Sequence, residues 1–154
     1  METKPVLTKQ LVLDFLAKNK LMAVATYGDH PWIATVYYTF DDKLNIYFLS
    51  GPETLHVRQI IENPKVAVAI ADSRQSIGKP KKGLQLYGIA EQISGIEKIK
   101  YALKLWKTNL GVMDPALTYK KAQGKMFRIV PKRVKLFNQD LFKVEDGKEP
   151  ILEL

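Results

Sequence analysis

The residues best suited to chemistry lie in the segment FLSGPETLHVRQIIENPKVAVAIAD, residues 48–72. This pattern predicts a strand that leads into a helix N-terminus, where unpaired backbone N–H groups favour an anion. The hydroxyls of Ser50 and Thr54 lie at that point, and His56 and Arg58 follow within the first turn or two. A phosphate group would fit such a site, although ordinary helix capping also explains these residues.

Other reactive residue types are scarce in this chain. It contains no cysteine, which excludes disulfides, thiolate nucleophiles and cysteine metal ligands and fits a reducing compartment. The two histidines, His30 and His56, lie far apart in the sequence with no third ligand at a recognisable spacing. We therefore expect no metal site. No pair of residues stands out as a general acid and base, so the catalytic residues stay unassigned.

The basic residues suggest a function of another class. Lysine and arginine number 24 against 16 aspartate and glutamate residues, which gives a net charge of +8. Part of the excess lies in a run without acidic residues: Lys120, Lys121, Lys125, Arg128, Lys132, Arg133 and Lys135. Such a run could contact the phosphates of a nucleic acid. No nucleic-acid-binding motif accompanies it, and a solvated face explains it more simply, so we expect no nucleic-acid partner.

The elements that must position these residues are mostly strands. β-branched and aromatic residues dominate six segments that we predict as strands: 21–27, 32–40, 44–50, 65–72, 84–94 and 125–138. Between them, apolar spacing and capping residues predict helices over about 8–19, 54–63 and 95–109, and Asp114-Pro115 a further helical turn. Gly88 indicates a bulge or a close backbone approach, and Pro131 an edge strand or a bulge. Strands that cluster in this way favour a mainly β (α+β) fold, an antiparallel barrel with attached helices.

Length and composition predict one ordinary globular domain. The chain has 154 residues, of which 46% are hydrophobic and 26% charged. We expect a single domain over 1–154, in which the tail from Leu141 could add a short strand and then frays from about residue 146. The longest apolar run, 66–71, is too short to span a bilayer, and METKPVLTKQ lacks the features of a signal peptide. We therefore expect a soluble cytoplasmic protein with no membrane partner.

Four segments occur in an informative order: PWIATVYYTFDDKLNIYFLS, ETLHVRQIIENPKVAVAI, KKGLQLYGIAEQIS and KMFRIVPKRVKLF. Their order and spacing resemble the FMN-binding split β-barrel family that includes pyridoxamine 5′-phosphate oxidase. The resemblance covers roughly residues 8–140. It implies an antiparallel six-stranded split barrel with peripheral helices, and a homodimer that holds FMN in clefts at the subunit interface.

The resemblance also implies which residues contact the cofactor. The strand Ile33-Ala34-Thr35-Val36 would run along the flavin ring and offer backbone hydrogen bonds. Leu49 and Ser50 would lie beside the isoalloxazine and the ribityl chain. The phosphate-binding run at the helix start matches Thr54, Leu55 and His56. A strand entrance that touches the phosphate or the ring edge matches Lys82, Gly83 and Gln85.

The sequence departs from the oxidase pattern where that pattern is basic. Ile33 falls where the oxidase has arginine, and Leu55-His56 falls where it has an arginine-lysine pair. Either Lys82, Arg58 or basic residues of a partner subunit replace this charge, or the site has lost FMN. The arginine-containing substrate motif near the oxidase C-terminus has no counterpart in LFKVEDGKEPILEL. We therefore expect no oxidation of pyridoxine phosphate.

Taken together, the residues and the resemblance predict a small FMN-dependent oxidoreductase. Bound FMN would exchange hydride or electrons with a small-molecule substrate or electron donor, and the protein would bind and orient it. The alternatives are a non-catalytic flavin carrier and a split barrel that has lost its cofactor and serves as a binding module.

Overall fold

The computed structural model describes residues 4–111 and 114–154. Its elements in chain order are α1 (Lys9–Ala17), β1 (Leu21–Tyr27), β2 (Pro31–Tyr37), β3 (Thr39–Phe40), β4 (Ile46–Leu49), α2 (Leu55–Glu62), β5 (Lys65–Ala71), β6 (Lys82–Gln92), α3 (Ile96–Leu110), α4 (Tyr119–Ala122), β7 (Met126–Asn138) and β8 (Ile151–Glu153). Within these described ranges, no helix has the length and apolar character needed to cross a membrane.

The eight strands form one antiparallel sheet in the order β2-β1-β5-β6-β7-β4-β3, with β8 paired to β7. The sheet curls until β2 contacts β4, yet no hydrogen-bonded ladder joins these two among the described strands. The barrel is therefore open along this seam, and the four helices pack around it. This arrangement confirms the expected mainly β split barrel with peripheral helices.

The structure has eight strands where we expected six. The segment predicted as one strand over 32–40 is divided at Tyr38, whose N–H donates to the Lys20 carbonyl at 3.0 Å and whose hydroxyl donates to the Leu16 carbonyl at 2.8 Å. These bonds tie Tyr38 to α1 and its C-terminal loop, so β3 forms separately. A short strand is present in the tail, but it lies within the part that we expected to be frayed from about residue 146: it is β8, in which Ile151 pairs with Lys135.

Strand β5 shows how the sheet separates its two faces. Val66, Val68 and Ile70 are buried, whereas the intervening Ala67 and Ala69 are exposed. The buried side chains of all the long strands form the core of the half-barrel, which α1 covers on one side. The opposite face of β1, β2, β5 and β6, which we call the outer sheet face, carries mostly small or apolar residues: Leu21, Ala23, Ala25, Ile33, Tyr37, Ala67, Ala69, Ala71 and Tyr87.

Gly88 and Pro131 lie together at a β-bulge. Tyr87 pairs with Arg133 and Gly88 with Pro131, so Lys132 is the extra residue of β7. A Cβ on Gly88 would lie 2.7 Å from the Val130 carbonyl oxygen, which confirms the close backbone approach expected there. Pro131 therefore lies at this bulge, in a stretch of β7 between its pairing with β4, which ends at Ile129, and its pairing with β8, which begins at Arg133.

Candidate functional site

The candidate cofactor residues fall into two groups in the structure. The first group comprises 33–36 on β2, Leu49 and Ser50 at the end of β4, and 54–56 at the start of α2. The second group comprises Lys82, Gly83 and Gln85 at the start of β6.

The first group comes together because α2 packs against β1 and β2, and β2 contacts β4. A buried side chain of α2 fixes this arrangement. Gln59 accepts a 2.6 Å hydrogen bond from the Thr26 hydroxyl of β1, and its amide nitrogen donates to the His30 carbonyl at 3.1 Å. Since Gln59 and Thr26 are both buried, these bonds attach the helix firmly to the turn that begins β2.

Strand β2 forms one edge of the sheet. It pairs with β1 on one side, and no described strand pairs with it on the other. Ile33 and Thr35 point to the outer sheet face and are exposed, while Ala34 and Val36 pack against the core. The backbone of 33–36 therefore has free N–H and C=O groups beside the seam, as the expected flavin contacts require.

Ser50 and His56 form a hydrogen-bonded pair between β4 and α2. The Oγ of Ser50 lies 2.7 Å from Nε2 of His56. We expected an exposed helix start, but His56 is buried, because α2 packs this residue towards the barrel. Burial lowers the pKa of His56 below its usual value near 6.5, so the ring is neutral at pH 7. His56 thus shapes and orients the site without adding positive charge.

Among the described residues, no side chain caps the first turn of α2. Thr54 is the N-cap residue, but it makes no side-chain hydrogen bond to the helix, and its hydroxyl donates to the Gly51 carbonyl at 2.8 Å. Ser50 is engaged with His56, and the half-buried Leu55 has no polar group. The N–H groups of this turn are therefore open to an external acceptor such as a phosphate oxygen.

The second group divides between the two faces of β6. Strand alternation sends Gly83 and Gln85 to the outer sheet face and Lys82 to the opposite face. Lys82 forms a 3.0 Å ion pair with Asp140, so the structure does not place its ammonium group beside Gln85. The space above Gly83 is filled by the ring of Phe137, its cross-strand partner. Of the three expected residues, only Gln85 offers a polar side chain on the outer sheet face.

The two groups lie apart within one chain. Thr35 pairs with Ala23, Ala23 with Ala69, and Ala69 with Gln85. Three strand spacings of about 4.8 Å separate Thr35 from Gln85 by roughly 14 Å across the sheet. One protomer therefore presents two partial sites, both bordering the same outer sheet face.

Two further residues, which the sequence analysis missed, border the second group. Lys135 is the cross-strand partner of Gln85, and Phe137 is that of Gly83. The alternation of buried Val134 and Leu136 in β7 is the sequence signal for this placement. The bulge at Pro131 shifts the phase of that alternation, so the face of Lys135 and Phe137 is hard to assign without the strand register.

The basic run over 120–135 is partly neutralised. The Arg128 guanidinium pairs with Glu91, and Arg133 pairs with Glu153 at 2.7 Å. Lys120, Lys121 and Lys125 are exposed. The run is thus a solvated surface interrupted by ion pairs.

Comparisons with known proteins agree with this architecture. Residues 8–138 match the sequence profile of a family described as pyridoxamine 5′-phosphate oxidase. A conserved hypothetical protein of Mycobacterium tuberculosis is similar in structure, with a TM-score of 0.74 at 16% identity over 94% of this chain and 93% of that one. No curated protein sequence matches closely enough to serve as a relative.

Two further solved structures share the fold but have different ligands in their names. A FAD-binding protein of Mesorhizobium loti has a TM-score of 0.64 and 20% identity, over 83% of this chain and 90% of that one. A heme storage protein of Vibrio cholerae has a TM-score of 0.66 and 16% identity, over 79% of this chain and 88% of that one. At such identities the likeness shows a shared fold. With its profile match over most of the sequence, the chain belongs to the pyridoxamine 5′-phosphate oxidase family.

Proposed function

We propose that this protein is a cytoplasmic homodimer that binds FMN at the subunit interface and uses it as a small oxidoreductase. The observation that carries the proposal is the packing of α2, whose first turn is uncapped, against the edge strand β2 and beside the end of β4. Free backbone groups suit the polar edge of a flavin ring, and uncapped helix N–H groups suit its phosphate. Bound FMN would supply hydride or one-electron transfer to a small-molecule partner.

Binding of the FMN phosphate would depend on backbone N–H groups more than on charged side chains. None of 54–56 carries a charge at pH 7, since Thr54 and Leu55 cannot ionise and buried His56 is neutral. A helix N-terminus contributes only about 0.3–1 kcal/mol to the binding of an anion at an exposed site. The exposed Arg58, three residues after Leu55 on α2, would add to it. We expect FMN affinity to be modest and sensitive to salt.

The homodimer follows from the two partial sites and the character of the outer sheet face. Ile33 and Tyr37 on this face are 63% and 57% exposed, and small alanines lie between them and Tyr87. Large exposed apolar surfaces of this kind mark interaction sites. A second copy packed on this face by a two-fold axis would bring its own second group towards the first group of this chain.

The visible absorption spectrum of the purified protein is the first test. A flavin band that survives desalting, or saturable quenching of FMN fluorescence at micromolar protein, supports the proposal. A Soret band and no flavin band would instead indicate heme, the ligand named for the Vibrio cholerae structure. A colourless protein that quenches no FMN fluorescence would leave the cofactor-free binding module.

Reduction then separates an oxidoreductase from a carrier. Flavin bound to an oxidoreductase should be bleached by a physiological reductant such as a nicotinamide nucleotide and reoxidised by an acceptor. If bound flavin resists every such reductant, the non-catalytic carrier is the better description.

A further inference from the structure

Helix α3 and the short α4 form a strongly basic surface, which we call the α3 surface. The segment 95–125, which contains both helices, has seven lysines and two acidic residues, so it contributes +5 of the net charge of +8. All seven lysines are exposed, and none forms an ion pair within the described part of the chain. A concentration of positive charge of this kind is the electrostatic signature of a site for a polyanion.

The α3 surface is larger than the basic run over 120–135. We expected that run to be a solvated face, and Arg128 and Arg133 in its second half are paired with acidic residues. The structure packs α3 against α4, which brings the four lysines of α3 beside those of the first half of the run. None of these lysines belongs to the candidate cofactor groups or to the outer sheet face.

A cavity of about 290 Å³ lies on one side of α3. Lys100, Lys104 and Lys107, which are spaced i, i+4 and i+7, form a stripe along it. The half-buried Trp106 and two leucines supply its apolar lining. The acidic residue on this lining is Asp114, whose carboxylate already accepts a backbone N–H at 2.9 Å. The cavity therefore combines an aromatic side chain with three ammonium groups.

A second cavity, of about 220 Å³, lies on the other side of the same helix and shares no lining residue with the first. Lys98 and Tyr101 of α3 line it together with Lys43. Its acidic residue, Asp41, is buried and already accepts four hydrogen bonds from donors of the protein. Both cavities are smaller than the roughly 300–1,000 Å³ typical of sites for drug-sized molecules, so each suits a single planar ring system.

We propose that the α3 surface binds single-stranded nucleic acid, with phosphates on the lysines and one base in each cavity. Trp106 and Tyr101 supply the aromatic faces on which bases stack, and the lysines contact the backbone of the strand. An anionic membrane fits less well, because the apolar face of α3, which includes Ile99 and Ala102, is packed against the sheet and cannot insert into a bilayer. The site requires no flavin and goes beyond the proposed oxidoreductase activity.

Fluorescence anisotropy of the full chain with a fluorescein-labelled oligothymidylate of about 12 nucleotides tests the site, without added flavin. We expect saturable binding at low salt that weakens steeply as salt is raised. The slope of log affinity against log salt should become shallower by about 2 when three lysines are replaced together, since each phosphate contact on a single strand contributes about 0.7. The three substitutions are Lys100→Gln, Lys104→Gln and Lys107→Gln.

A second triple variant is the matched control for net charge. It replaces three exposed lysines at the opposite end of β6 and β7 from the part that α3 contacts, and it should leave the slope nearly unchanged. The substitutions are Lys79→Gln, Lys81→Gln and Lys143→Gln. Equal slopes for the two triple variants would overturn the proposal, and so would the absence of saturable binding at low salt.

Two variants of Trp106 separate stacking from charge. Trp106→Leu removes the aromatic face and should weaken binding at least about fivefold, whereas Trp106→Phe keeps an aromatic ring and should retain most of the affinity. Equal affinities of these two variants would contradict a stacked base. Inorganic polyphosphate that competes as well as an oligonucleotide of equal charge would show binding by charge alone, and tighter binding to phosphatidylserine vesicles would indicate a membrane. Either result would overturn the proposal, and neither depends on the FMN tests.

Discussion

The hydroxyl of Ser50 and Nε2 of His56 lie 2.7 Å apart where β4 ends and α2 begins. Ser50 directly follows β4, and His56, in the first turn of α2, is 8% exposed. His56 therefore acts as a neutral packing and hydrogen-bonding residue at the centre of the first group. Its protonation would place a charge in a desolvated position.

Because His56 is buried, we expect the free energy of unfolding to decrease at acidic pH. Well above pH 6.5, the ordinary pKa of histidine, the ring is neutral in both states and contributes no pH dependence. As the pH falls below that value, the unfolded chain takes up the proton first, because burial lowers the pKa of His56 in the folded state. The free energy of unfolding should therefore fall with pH until the folded pKa is passed. Urea unfolding at a series of pH values measures this slope.

His56→Gln is the informative variant for that slope. It should flatten the dependence between pH 7.5 and 5.5, whatever its effect on stability at pH 7.5. His30→Gln, at an exposed turn residue, is the matched control and should leave the wild-type slope in place. A His56→Gln slope equal to wild type would show that other groups control acid stability.

The close approach at the bulge predicts that alanine substitution of two glycines will have very different effects on the free energy of unfolding. Gly88→Ala should destabilise the protein by about 1–3 kcal/mol, because the new methyl group would lie 2.7 Å from the Val130 carbonyl oxygen in a packed sheet. Gly51→Ala should be close to neutral, since no atom of the described residues lies within 4 Å of a Cβ there. Neither glycine has a positive φ, so backbone strain does not confuse the comparison. Thermal and urea unfolding midpoints check it, and equal midpoints for the two variants would contradict the close approach.

The sequence was sufficient to predict those structural features that depend on residues within a single helix or strand. The strand character of β5, the N-cap at Thr8, and the bulge at Gly88 each follow from residues within one segment, although β5, which we expected to be buried, exposes Ala67 and Ala69. Thr8 accepts the Leu11 N–H at 3.2 Å, as its position before the apolar helical pattern predicts. The order of the motifs was enough to identify the split barrel.

Features that depend on distant contacts were not predictable in this way. The division of β2 from β3 depends on bonds from Tyr38 to residues near α1, and the position of β8 at the very end of the tail depends on a free edge that β4 leaves on β7. The ion pair of Lys82 with Asp140 joins residues far apart in sequence. Motif matching placed Lys82 in the candidate site because it records position along the strand and not the face to which a side chain points.

If the outer sheet face is the dimer interface, a single charge introduced on this face should weaken the homodimer. Ile33→Glu would place a carboxylate in the proposed apolar interface and should raise the dimer dissociation constant by about tenfold or more. Ile77→Glu is the matched control, because Ile77 is fully exposed in the loop before β6. Size-exclusion chromatography with light scattering over a dilution series measures both. Dissociation caused by Ile77→Glu, or a dimer unaffected by Ile33→Glu, would place the interface elsewhere.

The uncharged first turn of α2 predicts that FMN affinity can be raised by one substitution. Leu55→Lys would put an ammonium group beside the free N–H groups of this turn, at a half-buried position next to the N-cap Thr54. A charge-assisted contact to phosphate of about 1–2 kcal/mol corresponds to a gain of ~5- to 30-fold in affinity. Fluorescence quenching of FMN at low salt measures the dissociation constant.

The comparison with Leu55→Met separates charge from packing. Methionine keeps the size and apolar character of the side chain, so FMN affinity should stay within about twofold of wild type. The gain of Leu55→Lys should also shrink at high salt, since a partly exposed charge pair is screened over about 3 Å at 1 M. If the gain in FMN affinity for Leu55→Lys persists at high salt, or if Leu55→Met gives an equal gain, the substitution changes the packing of α2 and does not add a charge contact to the phosphate. No change in FMN affinity with lysine would place the phosphate away from this turn, and the search would then move to the second group around Gln85.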